Sequence, residues 1–281
     1  AEGGGGGRGG GGAEAAAANT PHSNLDPKVV EVYSQVGKYL AQYTSGKIPK
    51  AFKIVPSLRD WEEILHLTSP DSWTPQAMYV ATRLFASNLN PKMAQRFFNL
   101  VLLPRVRLDI EKMKKLNYHL YSSVKKSLYK PAAFFRGILL PLAQDECSGR
   151  EAVIMSSILA KHSIPSIHAS VALLKLAQME YSGPQVLFMR TLLNKKYSLP
   201  YRVIDGMVQY FCIFEGDSRQ MPVVWHQNLL TFVQRYKTDL TPAQRGALKA
   251  CLRKQTHNSI TPEIRRELFS QTSATASAME M

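Results

Sequence analysis

Residues able to do chemistry are spread along this chain, but none falls at the spacing that a reaction needs. A phosphate-binding loop requires GxxxxGK followed by Ser or Thr, because successive backbone amides must wrap the phosphates. "TSGKIPK" at 44–50 has Gly46 and Lys47 but neither the earlier glycine nor the hydroxyl. The seven histidines never form HExxH, and His162 and His168 straddle a helix start expected at Pro165, so they point different ways. "GDS" at 216–218 lacks the flanking glycines of a nucleophile elbow. Glu62 and Glu63 are adjacent on a helix and diverge, which is wrong for shared acid–base work. Cys147, Cys212 and Cys251 are odd in number, far apart and free of CxxC spacing. Neither a disulfide framework nor a zinc knuckle is expected, and a reducing compartment fits. The sequence therefore predicts no enzyme, no metal, no cofactor and no small-molecule substrate.

What the chain does carry is positive charge. The formal charge is +14 over 281 residues, which favours an anionic partner. Residues 91–142 hold eleven Lys or Arg against Asp109 and Glu111 alone. A solvated helix face ordinarily mixes signs to gain i, i+4 pairs, and this region forgoes them. Within it, "YHLYSSVKKSLYKPAAFFRG" at 118–137 sets five aromatic rings among four cations and no acid. Drawn as one helix over 113–129, the sequence puts Met113, Leu116, Leu120, Tyr121, Val124 and Leu128 on a core-facing arc. Tyr118 and Tyr129 then fall on the basic side. Neutralisation of phosphates would account for the missing acids. The candidate RNA-binding residues are Arg105, Arg107, Lys112, Lys114, Lys115, Tyr118, Lys125, Lys126, Tyr129, Lys130 and Arg136. No base-reading module accompanies them, so recognition should be of shape and backbone. A protein adaptor whose basic face meets an acidic partner, with no direct RNA contact, is the alternative.

The elements that must position these residues are announced by proline. Ten of the sixteen prolines sit where a helix would begin: Pro27, Pro75, Pro91, Pro131, Pro165, Pro184, Pro200, Pro222, Pro242 and Pro262. Proline is tolerated there because its missing N–H has no partner to lose. Asp26, Thr74, Thr241 and Thr261 are predicted N-caps, and Ser57 with Asp60 resembles a capping box. Between starts the apolar period is helical, as in Trp225, Leu229, Phe232, Val233 and Tyr236, and alternating strand-like runs are absent. The late starts recur every sixteen to twenty-two residues, one helix and a turn each. The expected fold is all-α, a right-handed solenoid of HEAT/TPR-like helix pairs in a single elongated domain spanning 25–271. No repeated sequence motif is apparent. A disordered Gly/Ala-rich tail is expected over 1–24, where Arg8 alone makes no RNA-binding tract, and another over 272–281. "FFRGILLPLA" is too short and too interrupted by Arg136 and Pro141 to span a membrane.

Longer stretches carry a resemblance. "SGKIPKAFKIVPSLRDWEEIL", "RLFASNLNPKMAQRFFNLVLLPRVRLDI", "LNYHLYSSVKKSLYKPAAFFRGILLPL", "SIPSIHASVALLKLAQMEYSG", "KKYSLPYRVID", "VVWHQNLLTFVQRYK" and "TPEIRRELF" closely resemble the bystin family of small-subunit ribosome assembly factors, in unbroken order from about Leu25 to Phe269. The resemblance implies an all-helical, non-catalytic factor of the nucleus and nucleolus that shuttles to the cytoplasm on pre-40S particles. It implies contact with pre-18S rRNA in the snoRNA-containing small-subunit precursor, the SSU processome, near the head and beak. Ribosomal proteins and assembly factors of the small-subunit head would be its protein partners, and no membrane is involved. Protein-binding positions are placed at Trp225, Lys195, Lys196 and Arg202. Relatives usually carry a long charged region before the segment equivalent to "LDPKVVEVY", where this chain has glycine and alanine, as a fragment or an unusual lineage would.

Overall fold

A computed structural model describes residues 26–269, and among these there is helix but no strand. The expected tails over 1–24 and 272–281 lie outside the described residues. The first helices are α1 (Pro27–Ala41), α2 (Lys50–Ile54), α3 (Trp61–Leu67) and α4 (Pro75–Asn88). Their starts follow local chemistry: Asp26 accepts the amide of Lys28, and Thr74 accepts that of Ala77. Ser57 and Asp60 do not form the expected box. The Ser57 hydroxyl donates to the Ile54 carbonyl at 2.6 Å, and Asp60 makes no side-chain cap bond. An aromatic chain closes this part of the core. Phe52 meets Trp73 edge-on at 5.4 Å, and Phe85 stacks on Phe97 at 4.6 Å.

Two longer rods follow, each carrying a π-helical turn. The first joins α5 (Pro91–Phe97) to α6 (Leu103–Met113) through a π-helical turn at Phe98–Leu102. After α7 (Tyr118–Ser127), the second joins α8 (Pro131–Phe134) to α9 (Leu140–Gln144) through a π turn at Phe135–Leu139. The rods share a sequence, "FFNLVLLP" at 97–104 and "FFRGILLP" at 134–141, so a repeated motif does exist. Its geometry follows from the final proline. Leu103 and Leu140 donate five residues back, to Phe98 and Phe135, which opens the ladder just before Pro104 and Pro141. The helix thus carries a proline without ending. The second turn lies against the first rod at Gly137.

From α9 onward the packing becomes regular. Helices α10 (Gly149–Lys161), α11 (Ser166–Ala177), α12 (Gly183–Leu193), α13 (Tyr201–Ile213), α14 (Val223–Tyr236), α15 (Pro242–Lys254) and α16 (Ile260–Phe269) follow, and each of α10 to α14 packs on the helix two ahead. One layer is α10, α12, α14 and α16, and the other is α9, α11, α13 and α15. This is the solenoid-like pairing expected from the proline spacing. The earlier part departs from it, because α7 turns back to lie along α4. Buried residues form one continuous core from Tyr33 to Leu268, so the helices make a single domain. The late prolines vary in position: Pro242 is first in its helix, Pro184 second, and Pro165, Pro200 and Pro222 cap theirs. Thr261 is not the cap of α16, which begins one residue earlier. Its hydroxyl oxygen instead accepts the His257 amide at 2.9 Å.

Candidate nucleic-acid interface

The basic region is built around a turn that the periodicity did not show. The single helix drawn over 113–129 is two helices: α6 ends at Met113, Lys114 adopts a left-handed conformation (φ 56°), and Asn117 caps α7. Asparagine suits this place because its side chain accepts the His119 amide at 2.9 Å. Asp109 accepts the Asn117 amide at 2.8 Å, so this acid pins the turn and pairs with no lysine. Arg150 on α10 donates to the Lys114 carbonyl at 2.8 Å and fixes the other side. Met113, placed on the core arc by the helical drawing, is 59% exposed. Lys112, Lys114 and Lys115 project into solvent around it.

On α7 the division of faces is close to expectation. Leu120 and Val124 are buried, and Tyr121 is half-buried with its hydroxyl 3.3 Å from His162 Nε2. Tyr118 and Tyr129 are 75% and 74% exposed. Lys125 is exposed between them, and the Lys126 ammonium sits 3.5 Å from the centre of the Tyr129 ring. Burial pushes the pKa of His162 down, and Lys125, Lys195 and Lys161 push it further. Lys161 and Arg150 are cations that the 91–142 window missed. They arrive from α10, and no linear signal links them to α7.

Several cations of the 91–142 region, the expected contact residues Arg107 and Lys130 among them, are engaged within the fold. Arg107 pairs with Glu151 at 3.0 Å and also donates to the Glu146 carbonyl. Lys130 donates to the Leu89 carbonyl, and Arg96 pairs with Glu62. These three side chains join helices and are not an open cationic face, and Arg105 is half-buried with its Nε shut away from solvent and without a partner. Lys92, Lys112, Lys114, Lys115, Lys125 and Arg136 are exposed and have no acidic partner among the described residues. They are not one patch. Lys92 and Arg136 share a 620 Å³ groove with Asn90 and Gln95 at the start of the first rod. Lys112, Lys114 and Lys115 stand at and just beyond its other end, about 30 Å from Lys92 at ~1.5 Å rise per helical residue.

The four positions placed as protein-binding do not converge. Trp225 is fully buried, edge-on to Phe211 at 5.6 Å and to Phe214 at 5.8 Å, so it is a core residue and cannot anchor a partner. Its indole ring fell at the same helical spacing as the core leucines, and tertiary packing put it inside. Lys195 donates to the carbonyls of Ala160 and His162. Lys196 is exposed, and Arg202 lines a separate 920 Å³ hollow with Asp205 and Ile213. Among the described residues no three His, Cys, Asp or Glu side chains gather to hold a metal. Burial pushes the Cys147 thiol up to about 11 and that of Cys251 to about 12, so both stay protonated and unreactive near neutrality. No described helix is long and apolar enough to cross a membrane.

The described residues thus form a helical-repeat domain that displays exposed cations and two exposed tyrosines. Residues 9–278 match the Bystin family profile, and the chain belongs to that family. It is 57% identical over 252 residues to Bystin of Monosiga brevicollis, covering 89% of this chain and 61% of that one. Bystin of Homo sapiens is 57% identical over 251 residues (89% and 57%), and Bystin of Drosophila melanogaster is 53% identical over 245 residues (87% and 56%). The chain thus spans a little over half the length of these relatives.

Proposed function

We propose that this protein is a non-catalytic ribosome assembly factor that binds structured precursor RNA of the small subunit through α6, α7 and the ends of the first rod. The reading is supported above all by one observation: cations left without acids beside two exposed tyrosines. A lysine that serves stability alone gains by pairing, whereas one that meets a phosphate releases counterions and needs no acid nearby. Tyr118 and Tyr129 offer ring faces on which an unpaired base can stack. The spacing of the two cationic groups suits a backbone followed over several nucleotides, so shape would be recognised and not sequence. By holding an immature RNA conformation, the scaffold would exclude late-binding components without breaking a covalent bond. In this reading the protein acts in the nucleolus, within the small-subunit precursor, and leaves with pre-40S particles. It would also dock ribosomal proteins and assembly factors of the small-subunit head.

The quadruple variant Lys112→Glu, Lys114→Glu, Lys115→Glu and Lys125→Glu tests this reading by filter binding to a structured fragment of precursor RNA. Wild-type affinity should fall steeply between 50 and 200 mM salt, with a slope of about −0.7 to −0.9 per phosphate contacted. The variant should bind far more weakly with a shallower slope and remain folded, losing no more than about 2 kcal/mol of stability over four exposed substitutions. Equal RNA affinity in the two proteins would refute the assignment.

A further inference from the structure

Beside the α6–α7 turn lies a hollow of 700 Å³ that RNA contact does not explain. That volume is within the range of about 300–1,000 Å³ of small-ligand pockets. Its floor is Leu116, Val153, Ile154 and the flank of Tyr121, and its rim carries Lys114, Lys115 and Arg150 with no acid. Val153 is 60% exposed in mid-helix on α10. An aliphatic side chain held open to water there costs solvation that a partner would relieve. The rim is built: the Arg150 guanidinium donates to the Lys114 carbonyl, and Lys114 holds its left-handed conformation.

We infer that this hollow docks an acidic amphipathic segment of a partner protein. Apolar side chains of the segment enter over Val153 and Leu116, while its carboxylates meet Lys114, Lys115 and Arg150. Charge complementarity selects this occupant, and the floor argues against a nucleobase. It presents aliphatic groups where stacking needs a ring, and the Tyr121 hydroxyl is already turned to His162. A second copy of this chain is disfavoured by its own charge of +14. Because Lys114 and Lys115 belong both to the rim and to the proposed RNA face, peptide and RNA compete at this turn, and either one can displace the other.

The test uses fluorescence anisotropy with the full chain. One labelled peptide carries glutamates on one helical face and leucine and phenylalanine on the other, and its counterpart has lysine for glutamate. The glutamate peptide should bind saturably and the lysine peptide should not. Val153→Asp should weaken peptide binding by about tenfold or more, and the uncharged Val153→Ser should leave affinity for the structured RNA fragment unchanged. Lys114→Glu with Lys115→Glu should weaken both. Val153→Ser, milder for the helix, should reproduce the peptide loss, and circular dichroism should show both Val153 variants folded. Absence of saturable binding by the glutamate peptide would overturn the proposal, as would peptide binding indifferent to Val153→Asp. Loss of single-stranded RNA binding in Val153→Ser, with peptide binding intact, would assign the hollow to a base. The RNA reading is tested apart from this proposal by the double variant Lys112→Glu with Lys125→Glu, two positions outside the hollow: it should weaken RNA binding and leave peptide binding unchanged.

Discussion

Asn99 donates its Nδ2–H to the carbonyl of Gly137 at 3.3 Å, joining the two rods at their π turns. That carbonyl stands four residues before Pro141, which has no N–H to offer it, so a side chain from the neighbouring rod takes the place of the missing helix bond. The approach depends on glycine. A Cβ at 137 would stand 2.6 Å from the Gln95 carbonyl oxygen and 3.2 Å from Phe98 Cβ, and the first of these is backbone that cannot swing aside.

Gly137→Ala should therefore destabilise the fold by about 1–3 kcal/mol through forced separation of the rods, despite alanine's better helix propensity. Asn99→Ala should cost about 1 kcal/mol by leaving the carbonyl unpaired. Urea denaturation measures both. An unchanged midpoint for Gly137→Ala would mean that the rods do not touch there.

Glu151 is the acid on which the α9–α10 junction rests. It is buried, accepts from Arg107 Nε at 3.0 Å, and its other oxygen accepts from the Ser148 amide at 2.8 Å and hydroxyl at 2.7 Å. Glu151→Ala removes a capping box and leaves the half-buried Arg107 guanidinium with the Glu146 carbonyl and the more distant Asp145 carboxylate at 3.8 Å, a loss of about 2–3 kcal/mol. Arg107→Ala should destabilise in the same direction. Because Arg107 is engaged within the fold, neither variant should alter RNA affinity at a temperature where it remains folded, whereas Lys125→Glu should do the reverse. Paired melting curves and binding isotherms separate the two behaviours.

His226 should make the fold lose stability in mild acid. It is buried on α14, and burial, followed by the His257 ring 5.5 Å away, holds its pKa below the ordinary value. The folded state therefore keeps it neutral while the unfolded chain takes up a proton near pH 6.5. The unfolded state binds more protons below that pH, so stability is present above about 6.5 and falls as pH drops toward the folded-state value, at up to about 1.4 kcal/mol per pH unit. His162, shifted in the same direction, adds to the slope. The melting temperature should fall between pH 7.5 and 5.5, and His226→Gln should flatten that dependence. An equal decline in the variant would locate the effect elsewhere.

Helix starts were legible in the chain because they are local: a proline or a hydroxyl beside the first turn settles its own few residues, as at Pro75 with Thr74. The failures have equally physical causes. Pro104 and Pro141 carry no start signal of their own, because the two π turns absorb them inside the rods. The helix drawn through Lys114 was broken because its apolar period continues across the turn by coincidence, while the cap at Asn117 and the anchor at Asp109 are set by hydrogen bonds. Trp225 shares the spacing of its leucine neighbours, and periodicity cannot tell an innermost ring from one at a groove.

The sequence by itself determined the all-helical class, the helix-and-turn rhythm of the second half and the concentration of positive charge between 91 and 142. All three depend on composition and near neighbours along the chain. Only the tertiary structure decided which charges remain free. The partners of Arg96, Lys130 and Arg107 lie thirty-four to forty-four residues away in the chain, at Glu62, Leu89, Glu146 and Glu151. Electrostatic pairing is a matter of a few ångströms in space, and the order of residues along a backbone does not encode that distance until the helices have packed.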